Sequence, residues 1–133
     1  MARILIADDD ALIGEVVSHI LKERGHEVVV ADDGAEALEM ILLDRPDIII
    51  LDNLMPGLKG IEVFTRLQNR TTTATIPVIM LTAQTGRNHM VEAYDAGVTD
   101  YMTKPFEPAC LADRISDIVD RKCRKLQSSE EPV

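Results

Sequence analysis

Short apolar runs, each about as long as a β-strand, recur along the chain. Two of them, Ile48–Leu51 and Val78–Leu81, are apolar at every position, which is typical of a strand covered on both faces. The other runs are rich in β-branched residues or bounded by turn residues. The pattern predicts five strands, at Arg3–Ala7, Glu27–Ala31, Ile48–Leu51, Val78–Leu81 and Asp100–Met102.

Amphipathic segments separate these runs, with apolar residues spaced three or four positions apart as on one face of a helix. Gly25, Pro46 and Gly97 stand where the first, second and fourth helices should end. The fourth helix, around 87–96, is the least apolar. Strand and helix alternate five times, which predicts an α/β domain with helices on both faces of a parallel sheet. The apolar faces of the other helices are Ile13, Val16, Val17, Ile20 and Leu21; Ala35, Leu38, Ile41 and Leu42; Ile61, Phe64 and Leu67; and Leu111, Ile115, Ile118 and Val119.

Length and composition are those of one ordinary globular domain, expected at residues 1–126 with a polar, disordered tail at 127–133. No apolar run approaches the ~20 residues that span a bilayer. The first residues lack the pattern of a signal peptide, so a cytoplasmic location is expected. The net charge of −9 disfavours direct binding to nucleic acid. Cys110 and Cys123 would lie about 20 Å apart on the last helix, too far for a disulfide.

Polar residues follow the predicted strands. Asp8–Asp10 come after the first strand, Asp52 after the third, Thr82 after the fourth and Lys104 after the fifth. The carboxyl ends of parallel strands share one edge of the sheet, where ligands of open α/β folds bind. A single Asp here would usually be a turn residue or a helix cap, and Asp10 is expected to cap the first helix. The whole set at separate strand ends instead predicts one pocket.

The chemistry of this set suits a hard divalent cation and a phosphoryl group. Several carboxylates in one pocket repel each other unless a cation is present. Oxygen ligands without His or Cys favour Mg²⁺, with Mn²⁺ as an alternative, over zinc. One carboxylate beside the ion could attack phosphorus to give an aspartyl phosphate. Thr82 and Lys104 could then supply a hydroxyl and a cation to the phosphoryl oxygens.

Four motifs carry a family resemblance. They are Ile4–Asp10, Leu51–Pro56 followed by Gly60, Leu81–Ala83, and Asp100–Phe106. In this order and spacing, over roughly residues 2–125, the chain resembles a CheY-like response-regulator receiver domain of two-component signalling. The resemblance implies a flavodoxin-like (βα)₅ three-layer sandwich, with a five-stranded parallel sheet in the order 2-1-3-4-5.

The resemblance also implies a role for each matching position. Asp52 matches the phosphoacceptor, and Thr82 and Tyr101 match the switch residues. A cis peptide bond before Pro105 is implied as well. An alternative register would make Asp9 and Asp10 the acid pair. The Mg²⁺ ligands would be Asp8, Asp9, Asp52 and the backbone carbonyl of Leu54, and Lys104 would form the ion pair with the phosphoryl group.

Two positions bear on how long the phosphorylated state would last. The resemblance implies that Leu54 and Gln84, each two residues after a site residue, flank the path of the water that hydrolyses the acyl phosphate. Leu54 cannot orient water by a hydrogen bond, so the lifetime of the phosphorylated state is open. Gly57 and Gly60 are expected to permit unusual backbone angles in the loop after Asp52.

Three functions are therefore considered. The first is a switch, not an enzyme beyond self-catalysed phosphoryl acceptance and slow autodephosphorylation, that is phosphorylated by a histidine kinase or phosphotransfer protein. Its output would be protein–protein contact at the surface of the fourth helix, fifth strand and fifth helix, with a homodimer on activation as an option and no nucleic-acid or membrane contact. The second is a Mg²⁺-dependent phosphatase, which typically needs an acid where Leu54 stands. The third is an interaction module that is never phosphorylated.

Overall fold

Within residues 2–83 and 87–130, which the computed structural model describes, five parallel strands form one sheet. Its order is β2-β1-β3-β4-β5, so the predicted fold class and strand order are confirmed. Each strand begins at the predicted residue, and the last three extend one residue further than predicted. The strands are β1 (Arg3–Ala7), β2 (Glu27–Ala31), β3 (Ile48–Asp52), β4 (Val78–Thr82) and β5 (Asp100–Thr103).

A helix follows each strand. Helix α1 begins after Asp10, whose side chain accepts hydrogen bonds from the main-chain N–H groups of Leu12 and Ile13, as predicted for a cap. It is followed by Gly25, whose φ of +89° favours glycine. Among the described residues, no helix combines the length and apolar character needed to cross a membrane. The helices are α1 (Ala11–Glu23), α2 (Gly34–Leu43), α3 (Gly60–Gln68), α4 (Arg87–Ala96) and α5 (Pro108–Glu130).

The sheet lies between two apolar layers, which confirms the three-layer architecture. Strand β3 shows why its sequence is apolar throughout, because successive side chains point to opposite faces. Ile48 and Ile50 belong to the layer beneath α1 and α5, and Ile49 and Leu51 to the layer beneath α2, α3 and α4. Each of these four side chains is fully buried. A polar residue at any of them would lie in the core.

Helix α5 continues to Glu130, four residues into the segment 127–133 that the sequence predicts as a disordered tail. The division into a domain at 1–126 and a disordered tail at 127–133 stays a prediction. Arg121–Glu130 contains no Gly or Pro, and its Arg, Lys, Leu and Gln residues favour helix. The remaining residues, 131–133, lie outside the described part of the chain. Both cysteines fall on α5, and Cys110 is an exposed free thiol.

The strand order determines where along the edge of the sheet a ligand can bind. From β1 the chain moves outward to β2, then crosses back so that β3 lies on the other side of β1. This reversal opens a crevice at the carboxyl ends of β1 and β3, where open α/β sheets bind ligands. The register pairs Ala7 with Leu51. Asp8 and Asp52, the next residues along the two strands, therefore emerge side by side.

Candidate functional site

Two buried carboxylates lie at the crevice. Asp8 is 1% exposed and Asp52 is 3% exposed. The main-chain N–H of Asp10 donates to Asp8 Oδ1 at 2.9 Å, and the N–H of Leu54 donates to Asp52 Oδ1 at 3.1 Å. Each carboxylate is thus oriented by the loop that follows it. The Oδ2 oxygens of both carboxylates are thus available to contact a cation.

The ammonium group of Lys104, which follows the edge strand β5, is one such cation. Its Nζ lies 2.8 Å from Asp8 Oδ2 and 3.0 Å from Asp52 Oδ2, and its side chain is 16% exposed. Strand β5 is two strands away from β3, so only a long side chain can reach both acids past the end of β4. The peptide bond between Lys104 and Pro105 is cis, the isomer that the resemblance implies.

The charges in this pocket are strongly coupled. Burial raises the pKa of Asp52 above its ordinary value, and the charge of Asp8 adds to this, while the hydrogen bonds from Lys104 and Leu54 oppose it. Burial alone would lower the pKa of Lys104, but its hydrogen bonds and charge interactions with the two acids raise it overall. The raised pKa keeps Lys104 an ammonium at neutral pH, and the pocket offers two acidic side chains to one cation.

The donor set fits a divalent cation. Asp8, Asp9 and Asp52 each offer a carboxylate oxygen, and the three oxygens lie within 4.8 Å of one another. All are hard oxygen ligands, and Asp9 is exposed, so water can complete the coordination as Mg²⁺ requires. Asp10 is outside this described cluster because its side chain caps α1. The geometry thus assembles the pair Asp8 and Asp9, and not the alternative pair Asp9 and Asp10.

Of the remaining predicted residues, three lie on β4, on β5 and in the loop after β3. Thr82 is the last residue of β4, directly after Leu81, which pairs with Asp52. Tyr101 is buried in the layer beneath α4, and its ring lies 6.4 Å from that of Tyr94. Leu54 is 43% exposed, beside the acids rather than in the core. Gln84 lies outside the described residues.

Asn53 has a structural role that the sequence pattern does not indicate. Its Oδ1 accepts a hydrogen bond from the N–H of Ile61 at 3.1 Å, and its carbonyl accepts from Gly60 at 3.2 Å. Asn53 therefore caps α3 from seven residues before the helix begins. Among the described residues, the adjacent Lys59 makes no such side-chain bond. Capping rules examine the residue next to a helix, so no local signal could reveal Asn53.

Gly60 must be glycine for a different reason from the one expected. Gly57 has a φ of +76°, as expected, but Gly60 is not among the residues with positive φ. A Cβ on Gly60 would lie 2.6 Å from the carbonyl oxygen of Asp52 and 2.9 Å from Cα of Asn53. Close approach of α3 to the end of β3, and not an unusual backbone angle, requires glycine there.

This fold and acid pocket define the class of CheY-like receivers. The family model for the response regulator receiver domain matches residues 4–116, and the chain belongs to that family. It is 41% identical over 128 residues to the response regulator MprA of Mycobacterium ulcerans. It is also 38% identical over 118 residues to the phosphate regulon transcriptional regulatory protein PhoB of Pseudomonas aeruginosa. These matches cover 96% and 89% of this chain but 53% and 52% of the relatives, so it spans about half of their length.

Solved structures agree with this family assignment. The receiver domain of the Francisella response regulator 1452 superposes with a TM-score of 0.86 at 34% identity, over 92% of this chain and 99% of that one. The chemotaxis protein CheY4 of Vibrio cholerae gives a TM-score of 0.82 at 35% identity, over 88% and 98% of the two chains. The chain is thus a receiver domain of two-component signalling, which is a signalling module.

Proposed function

We propose that this receiver is a phosphorylation-activated switch that accepts a phosphoryl group on Asp52 from a histidine kinase or phosphotransfer protein. The reaction depends on Mg²⁺ or Mn²⁺. The observation that carries the proposal is the pocket in which the Lys104 ammonium contacts both Asp8 and Asp52 while Asp9 lies within 4.8 Å. A structural ion pair would not need a third carboxylate beside it.

The chemistry follows from the residues of the pocket. A carboxylate oxygen of Asp52 attacks phosphorus, the phosphorus–nitrogen bond of phosphohistidine breaks, and the electron pair leaves with the imidazole, which is protonated. The ion, held by Asp8, Asp9, Asp52 and the Leu54 carbonyl, would neutralise charge on the phosphoryl oxygens. Lys104 would exchange its contact with Asp52 Oδ2 for a phosphoryl oxygen, and Thr82 would donate its hydroxyl to another.

The signal would be a shift in population between two surfaces. A phospho group adds a charge of about −1.5 to −2, which would draw the Thr82 hydroxyl toward Asp52 and hold the Lys104 ammonium there. Tyr101, already buried beneath α4, would be stabilised in that inward position. The α4–β5–α5 face would then bind a downstream protein or a second copy of the chain.

Two rival functions predict different behaviour. A phosphatase acting through aspartyl phosphate would turn over phosphoesters, yet Leu54 occupies the position of its second acid. A receiver-like module that is never phosphorylated would neither bind Mg²⁺ at millimolar concentration nor form an adduct. The complete acid set, with Lys104 already in contact with Asp52, supports the switch over both.

The test is incubation with acetyl phosphate and Mg²⁺, followed by intact-mass measurement. We expect one phosphoryl group on the wild type and none on Asp52→Asn. Asp32→Asn, which alters an exposed acid after β2, is the matched control and should be phosphorylated normally. Asp9→Asn should weaken Mg²⁺ binding, whereas Asp10→Asn, which still caps α1, should not. An equal adduct on Asp52→Asn, or none on the wild type, would reject the proposal.

A further inference from the structure

The loop after Asp52 is fixed at both ends through one residue, Asn53. At its start, the N–H of Asn53 donates to the carbonyl of Leu81 in β4 at 2.9 Å. At its end, the carbonyl and side chain of Asn53 accept from Gly60 and Ile61 at the beginning of α3. A displacement imposed inside the loop must therefore be absorbed by residues 54–59.

Helix α2 contacts this loop at its first residue, Gly34. A Cβ built on Gly34 would lie 2.4 Å from the carbonyl oxygen of Leu58 and 2.8 Å from Cβ of Leu58. Gly34 is not among the glycines with positive φ, so close approach alone requires glycine here. Because the oxygen belongs to the main chain, no side-chain rotation can relieve the contact. Any larger residue would separate the loop from α2.

We propose that Gly34 is a positioning residue for the metal site, because its missing side chain lets the loop lie against α2 and so holds Leu54 beside Asp52. Leu58 is four residues after Leu54, whose N–H binds Asp52 Oδ1. Pushing Leu58 away while both loop ends stay fixed must move the residues between, including Leu54. The inference rests on the proposed function, since it takes the Leu54 carbonyl as a metal ligand.

A purely structural role for Gly34 predicts a different result. If the close contact served only to pack α2, a substitution would lower the free energy of unfolding but leave the Mg²⁺ affinity of the folded protein unchanged. Changing a residue that orients a metal ligand typically costs about 10- to 100-fold in metal affinity. For Gly34→Ala we expect the Kd for Mg²⁺ to rise about tenfold or more.

The experiment titrates Mg²⁺ into the full chain by calorimetry and measures metal-free stability by urea unfolding. Gly14→Ala is the matched control, because a Cβ there would meet only the movable Val30 Cγ1, at 3.3 Å. Ile41→Val is a second control that destabilises the far end of α2. We expect Gly34→Ala alone to weaken Mg²⁺ binding. An affinity equal to that of Gly14→Ala would overturn the inference.

The outcomes separate this inference from the proposed function. If the wild type binds no Mg²⁺, the proposed function itself fails. If the wild type binds Mg²⁺ and accepts a phosphoryl group but Gly34→Ala binds equally well, only the inference is wrong. Should Gly34→Ala fail to fold, Leu58→Ala removes the apolar side chain that packs this part of the loop against the core, with α2 intact. Weaker Mg²⁺ binding by Leu58→Ala would then support the inference, and unchanged binding would overturn it.

Discussion

Replacing Lys104 with Met should destabilise the metal-free protein and increase its response to Mg²⁺. The substitution keeps most of the apolar length of the side chain and removes the ammonium that lies 2.8 Å from Asp8 and 3.0 Å from Asp52. Both acids are buried. The variant therefore leaves two adjacent buried charges without their cation.

The size of the effect follows from this burial. Breaking a buried ion pair by removing one partner costs about 3–5 kcal/mol. Each hydrogen bond to a charged group contributes about 1.5–3 kcal/mol. Since Lys104 keeps 16% of its side chain exposed, the lower end applies, and we expect a loss of about 3 kcal/mol. For a domain of this size that corresponds to a fall in Tm of about 10 °C.

The pKa of Asp52 determines the direction in which the stability of the variant should change with pH and with Mg²⁺. Burial and the charge of Asp8 already raise the pKa of Asp52, so its ionised form lowers stability as the pH rises through that value. Removing the ammonium strengthens this effect. Lys104→Met should therefore recover part of the lost stability as the pH falls from neutral toward the pKa of Asp52. Mg²⁺ should stabilise it more than the wild type, because the ion replaces the missing charge.

Urea unfolding followed by circular dichroism is the appropriate assay, since the chain has no Trp. It should be run with and without Mg²⁺, at neutral and mildly acidic pH. Lys59→Met is the matched control, because it removes the same charge from an exposed site and should change stability little. Metal-free Lys104→Met as stable as Lys59→Met, or an equal Mg²⁺ effect on both, would refute the argument.

Three further predictions use other parts of the structure. Leu54→Asn, which can hydrogen-bond water beside the acyl phosphate, should shorten the lifetime of the phosphorylated protein on the order of tenfold, as measured by intact mass after the phosphodonor is removed. Burial lowers the pKa of His26, whose Nδ1 accepts from the N–H of Ala2. Stability should therefore fall as the pH drops below about 6.5, and urea midpoints of His26→Ala should fall less over that range. Asn53→Ala should cost about 1–2 kcal/mol in urea unfolding, because Ile61 loses its capping partner; an unchanged midpoint would contradict that role.

Much of the fold followed from local periodicity. A strand covered on both faces must be apolar at every position, so β3 and β4 could be located to within a residue of their observed ends. Because parallel strands all end at the same edge of a sheet, the sequence also predicted that Asp8, Asp52 and Lys104 would converge. At the end of α5 no apolar periodicity marks the helix, which nevertheless runs to Glu130.

The sequence by itself determined which elements form, which faces they bury and which chemical groups reach the binding edge, because these depend on spacing along the chain. Only the tertiary structure decided which atoms meet. It brought the ammonium that follows β5 to two acids at the ends of β1 and β3, made Asn53 the distant cap of α3, and set Gly34 against the carbonyl of Leu58. Such contacts join residues far apart in the chain, and their distances depend on how whole elements pack, which no local pattern encodes.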